Sequence, residues 1–480
     1  MKSEEREELS TDRLGTDSML KLLFEFSIPA VIMMTFNALY NIIDSIFLGQ
    51  AVGDTGIAVT TLAFPIMTIL MGLSALSGQG GNALAAIKLG EDKVNEVERT
   101  LGNTVLLLIL TAILIAIAGI VFIDPLLRLV GTTDELYDMT KLFVQIVMIG
   151  FIFQCIGMGA NNFLRTEGKP VLALLTSVLG TVVCIIFNFI LVMVLGFGVA
   201  GSALATIIGQ AASMVPVMWY LIRGKDAPFH LKLSAMKPDI RLWGSILSLG
   251  IASFIMETAN AVVNTLMNQA LAHYGALDPV GASGALAAIG VASRVNSVAF
   301  MPAIGVMMGA QTLIGYNYGA RKWDRVLSAY WLGMLFASAI ITTFFVLIQI
   351  VPGPIVRVFG VTGDLEAFCI YALKIMTALF PLVGFQIISS NYFQSTGQPL
   401  KATLLSLTRQ VLFLIPLILL LPEYLPMILD VTSLQAICFT FPFSDFLAII
   451  TTAAFIIPEL VKLNKLKREG ETRKLEPAVE

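Results

Sequence analysis

The feature that most constrains this chain is a series of twelve apolar runs separated by short charged or Gly/Pro-containing breaks. The runs fall at about 22–48, 57–85, 101–123, 142–163, 170–195 and 199–222, then 243–272, 284–313, 324–351, 367–393, 401–421 and 433–458. Roughly 20 apolar residues in a helix cross the hydrocarbon of a bilayer. Inside lipid every backbone N–H and C=O must find a partner, and runs this long without polar alternation are helices rather than barrel strands. Several exceed the crossing length, which allows tilt or extension beyond the bilayer. Composition agrees: 57% of residues are hydrophobic and 13% charged, about half the charged share of a soluble domain. The expected fold class is all-α integral membrane, with twelve transmembrane helices.

Charge outside the runs sets an orientation. Of the 30 Lys and Arg, 24 lie at or beyond the run ends on the side of the N-terminus and 3 on the opposite side. Arg294, Lys374 and Arg409 lie within runs. Such a bias places both termini in the cytoplasm. The polar start lacks the order of a secretory leader, and 1–21 is read as a cytoplasmic tail. The longest break, 223–242, is basic and contains proline. It divides the chain into an N-lobe at 22–222 and a C-lobe at 243–458, and a charged tail at 459–480 is expected to loosen towards its end.

The halves resemble each other. At an offset of 229, Asn162, Gly168, Pro170, Ala173, Leu175, Ser177 and Val182 meet identical residues at Asn391, Gly397, Pro399, Ala402, Leu404, Ser406 and Val411. Gly80 meets Gly309 and Gly90 meets Gly319 at the same offset. At an offset of 223, Asn37, Ala38 and Asn41 meet Asn260, Ala261 and Asn264. Six spans per half give both halves one orientation, so two pseudo-symmetric six-helix bundles are expected around a central cleft. Repeats of this kind are a transporter architecture.

Several function classes find no support in the residues. The net charge of −3 supplies no basic field for nucleic acid. Cys155, Cys184, Cys369 and Cys438 are scattered through apolar runs, and His230 and His273 are the two histidines. Neither set has metal-ligand or disulfide spacing. An intramembrane enzyme would need a convergent His/Asp/Glu or Ser/Lys set, which the sequence does not offer. No cofactor is expected; the expected partners are small-molecule substrates and membrane lipid, and the chain is expected to work as a monomer.

A charge within a membrane span costs about 2.5–3.5 kcal/mol on the insertion scale, so each one needs a reason. In the first run Asn37, Asn41 and Asp44 share one helical face. In the seventh, Glu257, Asn260, Asn264 and Asn268 do the same, with Glu257 near mid-run. Arg294 is a candidate partner for either carboxylate; pairing of Glu257 with Arg294 or Lys374 merely to hold helices together is the structural alternative. Lys374 and Arg409 are open between structural and direct roles, and Asp445 is a further ion-site candidate. Pro65, Pro302, Pro381 and Pro442 lie within runs, where proline frees a carbonyl and bends the helix. Phe36, Tyr40 and Phe64 are candidate wall residues for an apolar cargo.

Four segments together resemble the multidrug and toxic compound extrusion (MATE) family of secondary transporters. They are "LYNIIDSIFLG", "NNFLRTEGKP", "GVAGSALAT" and "MPAIGVMMGAQTLIGYNYGARKWDRV", in the family's order and spacing across nearly the whole chain. The resemblance implies a V-shaped pair of bundles in the plasma membrane, exporting cationic or amphipathic drugs by alternating access against a flow of protons or sodium ions. It assigns Asp44 the family's first-span acid. The family's N-lobe cation site falls on Cys184, Asn188 and Thr206, lacking a second carboxylate. Glu257 matches the seventh-span glutamate of another branch, whose tenth-span acid is replaced by Val383. One acid per lobe is therefore expected, charged to hold a cation and discharged by a proton to release it. A lipid-linked oligosaccharide flippase of related fold is the alternative and predicts a more basic cavity; a channel would not stop when the ion gradient is collapsed.

Overall fold

The computed structural model describes residues 13–475, apart from 53, 131, 133, 225–227 and 359–363. Some side chains within helices also lie outside the description, including those of residues 37–46. The N-terminal half runs α1 (Met19–Val52), α2 (Asp54–Gly90), α3 (Val94–Val121), α4 (Asp134–Thr166), α5 (Pro170–Asn188, continued by a π-helix at Phe189–Val194) and α6 (Gly198–Arg223). The second half runs α7 (Ile240–Ala276), α8 (Gly281–Gly319) and α9 (Trp323–Ile350). Next come α10 (Asp364–Met376 and Phe380–Ser395), α11 (Pro399–Leu407, a π-helix at Thr408–Leu414, then Ile415–Tyr424) and α12 (Ser433–Cys438, then Thr440–Leu475). Eleven of these are long and apolar enough to cross a membrane, and the two parts of α10, bent by 48°, make the twelfth.

The helices outrun the apolar stretches at several ends because a helix has no reason to stop where polarity begins. The tail after Pro458 continues as helix to Leu475, and its end, where loosening was expected, lies outside the described residues. Of the four prolines singled out, Pro65 and Pro302 lie inside unbroken helices. Pro381 opens the second part of α10 beyond the bend, and Pro442 follows the interruption in α12 at Phe439. The missing proline N–H is harmless in the first turn of a helix, which suits both positions.

The sequence repeat reappears as backbone conformation. Asp92 and Arg321, 229 residues apart, both carry positive φ, 57° and 55°. Gly168 and Gly397, at the same offset, have φ of 80° and 74°. These are the turns after α2 and α8, and after α4 and α10; the first pair defines what is called here the inner end.

At the inner end the halves touch along two equivalent seams. A Cβ placed on Gly80 of α2 would lie 2.0 Å from the carbonyl of Ile246 in α7, and one on Gly250 would lie 1.7 Å from that of Leu76. On the other seam a Cβ on Gly309 of α8 would meet the Ser27 hydroxyl of α1 at 2.6 Å. Gly90 and Gly319 face each other: a Cβ on either would come within 1.9–2.0 Å of a carbonyl of the other helix. Exchange of the halves maps α2 on α7 onto α8 on α1, as a pseudo-twofold requires. Small residues let membrane helices approach this closely, where packing replaces the hydrophobic drive.

The buried core follows the same plan. One cluster at the inner end draws on both halves, including Leu22, Phe26, Phe163, Tyr330 and Tyr392. Towards the outer end it divides into an N-lobe cluster around Ala63, Leu70 and Phe151 and a C-lobe cluster around Met267, Ile289 and Leu373. The lobes are joined below and separate above.

Polar ties reinforce the inner end. Asn317 Nδ2 and Arg325 Nη2 both donate to the carbonyl of Leu14, each at 3.1 Å, and Lys322 Nζ donates to that of Gly15 at 3.0 Å. Asn103 of α3 accepts from Trp243 Nε1 at 2.8 Å, and Arg99 pairs with Asp239 at 3.0 Å.

Glu167, in the turn between α4 and α5, is fully buried. Burial pushes its carboxyl up to about 8, with Tyr220 and Lys169 pulling it only part of the way back. The folded protein therefore holds a proton there that the unfolded chain releases near 4.5. That contribution is full below the unfolded value and is lost as pH rises through the folded one. Glu167→Gln, which cannot ionise, should gain on the parent across this window. Melting in detergent at low and high pH checks it: the difference in Tm should move in the variant's favour by a few degrees as pH rises from ~5 to ~8.5.

Candidate functional site

Two layers of polar side chains lie above the inner closure, one in each lobe. In the C-lobe, Glu257 stands on α7 where the lobes begin to part. Its Cβ would be 3.1 Å from a Cβ placed on Gly72 of α2, two turns above the Gly80–Gly250 contact. The side chain is half-buried and makes no ion pair or hydrogen bond with a described residue. The structural alternative, a pairing with Arg294 or Lys374, is not formed among the described residues. Glu257 is level with Gly72, 18 residues above Gly90, whereas Arg294 is 25 residues above Gly319. At 1.5 Å per residue the two stand about 10 Å apart in height. Arg294 is exposed and Lys374 half-buried, neither ion-paired among the described residues. The structure thus gives Arg294, a candidate partner for either carboxylate, no contact with Glu257; the Asp44 side chain lies outside the described residues.

One turn above Glu257, the stripe on α7 enters a polar cavity of about 130 Å³ within the C-lobe. Asn260, Asn264, Ser293, Arg409, Gln410 and Asp445 line it, from α7, α8, α11 and α12. Asn260 Oδ1 accepts from Gln410 Nε2 at 3.0 Å, and Asn264 Nδ2 donates to the Asn260 carbonyl at 2.9 Å. Arg409 Nε donates to Asp445 Oδ1 at 2.9 Å, and Phe300 lies under the guanidinium with its ring centre 5.6 Å from Cζ. Ser444 Oγ donates to the Arg409 carbonyl at 2.8 Å. Arg409 and Gln410 both belong to the π-helix Thr408–Leu414, a distortion that recurs at functional sites because it re-aims side chains.

In the N-lobe, α5 and α6 pack closely and antiparallel. A Cβ on Gly180 would meet Ser213, and one on Gly209 would lie 2.5 Å from the Cβ of Cys184. Continuing that register puts Asn188 level with Ala205 and Thr206. Asn188 is buried, the last residue before the π-helix Phe189–Val194. Thr206 is half-buried and donates to the Ser202 carbonyl at 3.0 Å. The structure therefore brings Asn188 and Thr206 to one level, with Cys184 a turn below them on α5. Asn37, Tyr40, Asn41 and Asp44 lie along α1, with side chains outside the described residues. Phe36 is half-buried and Phe64 exposed. Val383, at the position matched to an acid, is fully buried on α10.

Sequence reasoning named Arg409 and Asp445 singly and missed Gln410. Both charges were visible, but 36 positions separate them, and only the fold places them together.

A duplicated bundle of twelve apolar helices, closed at one end and carrying a polar layer in each half above that closure, is the build of a multi-pass membrane transporter. The MatE family model matches the chain twice, at residues 29–190 and 253–420, more than half its length, and the chain belongs to that family. Among its relatives is the multidrug export protein MepA of Staphylococcus aureus strain MSSA476, 23% identical over 393 residues, which cover 81% of this chain and 84% of that one. MepA of Staphylococcus saprophyticus is 22% identical over 397 residues, covering 83% and 86%. A solved structure described as the outward-facing conformation of a multidrug resistance MATE family transporter superimposes with a TM-score of 0.86 at 22% identity, over 95% of this chain and 99% of its own. A MOP superfamily transporter from Pyrococcus furiosus, described as having reversed binding-pocket polarity, gives 0.86 at 21% identity, over 94% and 98%.

Proposed function

We propose that this transporter is a cation-coupled antiporter that exports cationic or amphipathic compounds across the plasma membrane, with both termini in the cytoplasm. The observation that carries the reading is Glu257, an acid without a described partner at the level where the two lobes separate. An ionised carboxylate there is costly in a membrane unless a cation joins it. A cationic cargo can supply that charge, and so can a proton or a sodium ion. Exchange of the two at one carboxylate couples their movements. The positive-inside bias puts the closed end in the cytoplasm and the open end outside, so the conformation described here is the one from which cargo leaves. Export by the MepA relatives supports the direction. A proton is favoured as the driving ion because Asn188 and Val383 stand where the family's two further acids would be, and Cys184 where an amide ligand would be.

Asp44 is assigned the corresponding role in the N-lobe, and Asn37, Asn41, Asn188 and Thr206 are assigned to the same site; in the C-lobe Asn260 and Asn264 extend the polar path from Glu257. Phe36, Tyr40 and Phe64 are proposed to face the apolar part of the cargo. The whole chain is taken to act as a monomer, rocking its lobes about the inner seams.

Accumulation of a fluorescent cationic dye in cells with and without the protein tests this reading. Cells that make it should accumulate less dye, and the difference should vanish when the ion gradient is dissipated. Equal accumulation, or a difference that survives loss of every gradient, contradicts it.

A further inference from the structure

The polar cavity of the C-lobe holds more than a helix-to-helix tie requires. Asp445 is almost wholly buried, its side chain 5% exposed, and it engages Arg409 only through Nε. The cationic carbon of the guanidinium stands over the Phe300 ring. These contacts leave the Nη1/Nη2 edge of the group without an acceptor among the described residues, and the side chain is 26% exposed. Gln410 shows the complementary feature: Nε2 is committed to Asn260, while Oε1 is buried and has no hydrogen-bond partner. Ser293 and the apolar side chains of Val263, Met267, Leu414 and Phe441 complete the wall.

A strut would not be built like this. Burying a charge pair costs desolvation that apolar side chains of similar size avoid, and a strut needs neither a cavity nor an open guanidinium edge. The volume of about 130 Å³ is close to the ~150 Å³ that admits a benzene ring in an engineered cavity. Two parallel N–H donors in one plane match the two oxygens of a carboxylate, and the match is specific to arginine. A cation would be repelled at the same spot. Depth distinguishes cargo from lipid. Arg409 is ten residues into α11, roughly 15 Å along a helix and so near the middle of ~30 Å of hydrocarbon, beyond the reach of a headgroup.

We propose that the Arg409 cavity is a subsite for the carboxylate of a zwitterionic amphiphile, whose cationic end is held at Glu257. The proposal rests on the export reading above and specifies its cargo. Glu257 and the Asn260–Asn264 rim are three to seven residues apart on α7, roughly 5–10 Å along the helix, which sets the separation of the two charges in the cargo. Asp445 is a positioning residue that aims Arg409; Gln410 Oε1 can accept from a protonated carboxyl or from a bridging water.

The test uses the full-length transporter in proteoliposomes and two rhodamine dyes that differ by one methyl group: the methyl ester, which is cationic, and the free acid, which is zwitterionic. Arg409→Gln combined with Asp445→Asn removes both charges together and orphans neither. This double variant should lose transport of the free acid by about tenfold or more, with the ester held within about twofold, as loss of a bidentate charged contact dictates. Arg409→Lys keeps the charge, and with it the tie to Asp445, so it reports on the fork alone and should give an intermediate loss of the acid. A parallel fall of both dyes, an unchanged acid-to-ester ratio in both variants, or a parent that transports the ester but never the acid overturns the subsite. A parent that transports neither dye overturns the export reading instead.

Discussion

Glu257→Gln should reduce export of a cationic dye by about tenfold or more, with the protein present in the membrane at the parental level; a lost interaction of ~1.4 kcal/mol is enough for that. The amide keeps the shape and the hydrogen-bonding capacity of the side chain but can no longer alternate between a charged and an uncharged form. Glu257→Asp keeps the charge and should retain part of the activity. The half-buried position against Gly72, with no described cation beside it, makes the loss functional rather than structural. Asp44→Asn should act in the same direction through the N-lobe. Export rates of the three variants, normalised to protein in the membrane, check this. Parental export by both Glu257→Gln and Asp44→Asn would remove the acids from the mechanism.

Gly250→Val should be the most damaging substitution outside the polar layers. Its Cβ would fall 1.7 Å from the Leu76 carbonyl, a backbone atom that cannot swing aside. Overpacking of a close contact costs about 1–3 kcal/mol, and here the cost falls only on the state in which the inner end is closed. A bias of 3 kcal/mol shifts a two-state equilibrium by about two orders of magnitude. The variant should fold, favour an open inner end and export poorly. Spin labels at Asn95 and Asp324, exposed and 229 residues apart beside the two inner turns, report the change. Their separation should be short in the parent and longer in the variant. An unchanged distance together with parental export would show that the seam is not part of the cycle.

Much of the architecture was legible from the chain alone because membrane insertion writes itself into sequence. Apolar runs and the distribution of Lys and Arg report on lipid and translocation directly, and the offset of 229 foretold the matched turns at Asp92 and Arg321 and at Gly168 and Gly397. The facing of Gly90 and Gly319 shows that part of the repeat is an interface. The π-helices at Phe189–Val194 and Thr408–Leu414 were not legible, since one extra residue in a turn leaves no mark in a periodic apolar pattern. Side-chain partners were legible least of all. Arg294 was matched to Glu257 by charge, but the fold sets them at different heights. Arg409 met Asp445 because α11 and α12 pack together, a fact of tertiary structure. The V-shaped division of the core also arises from packing between runs, which no single run encodes.

The central claim is that cargo and ion compete for the same acids. Purified protein in proteoliposomes, with proton and sodium gradients imposed separately, tests it through the ion flux evoked by adding a cationic substrate. The parent should release ions of one kind in proportion to substrate moved, and Glu257→Gln should abolish that flux while leaving the vesicles equally tight. Substrate movement with no accompanying flux of either ion, or a flux that persists undiminished in Glu257→Gln, would contradict it.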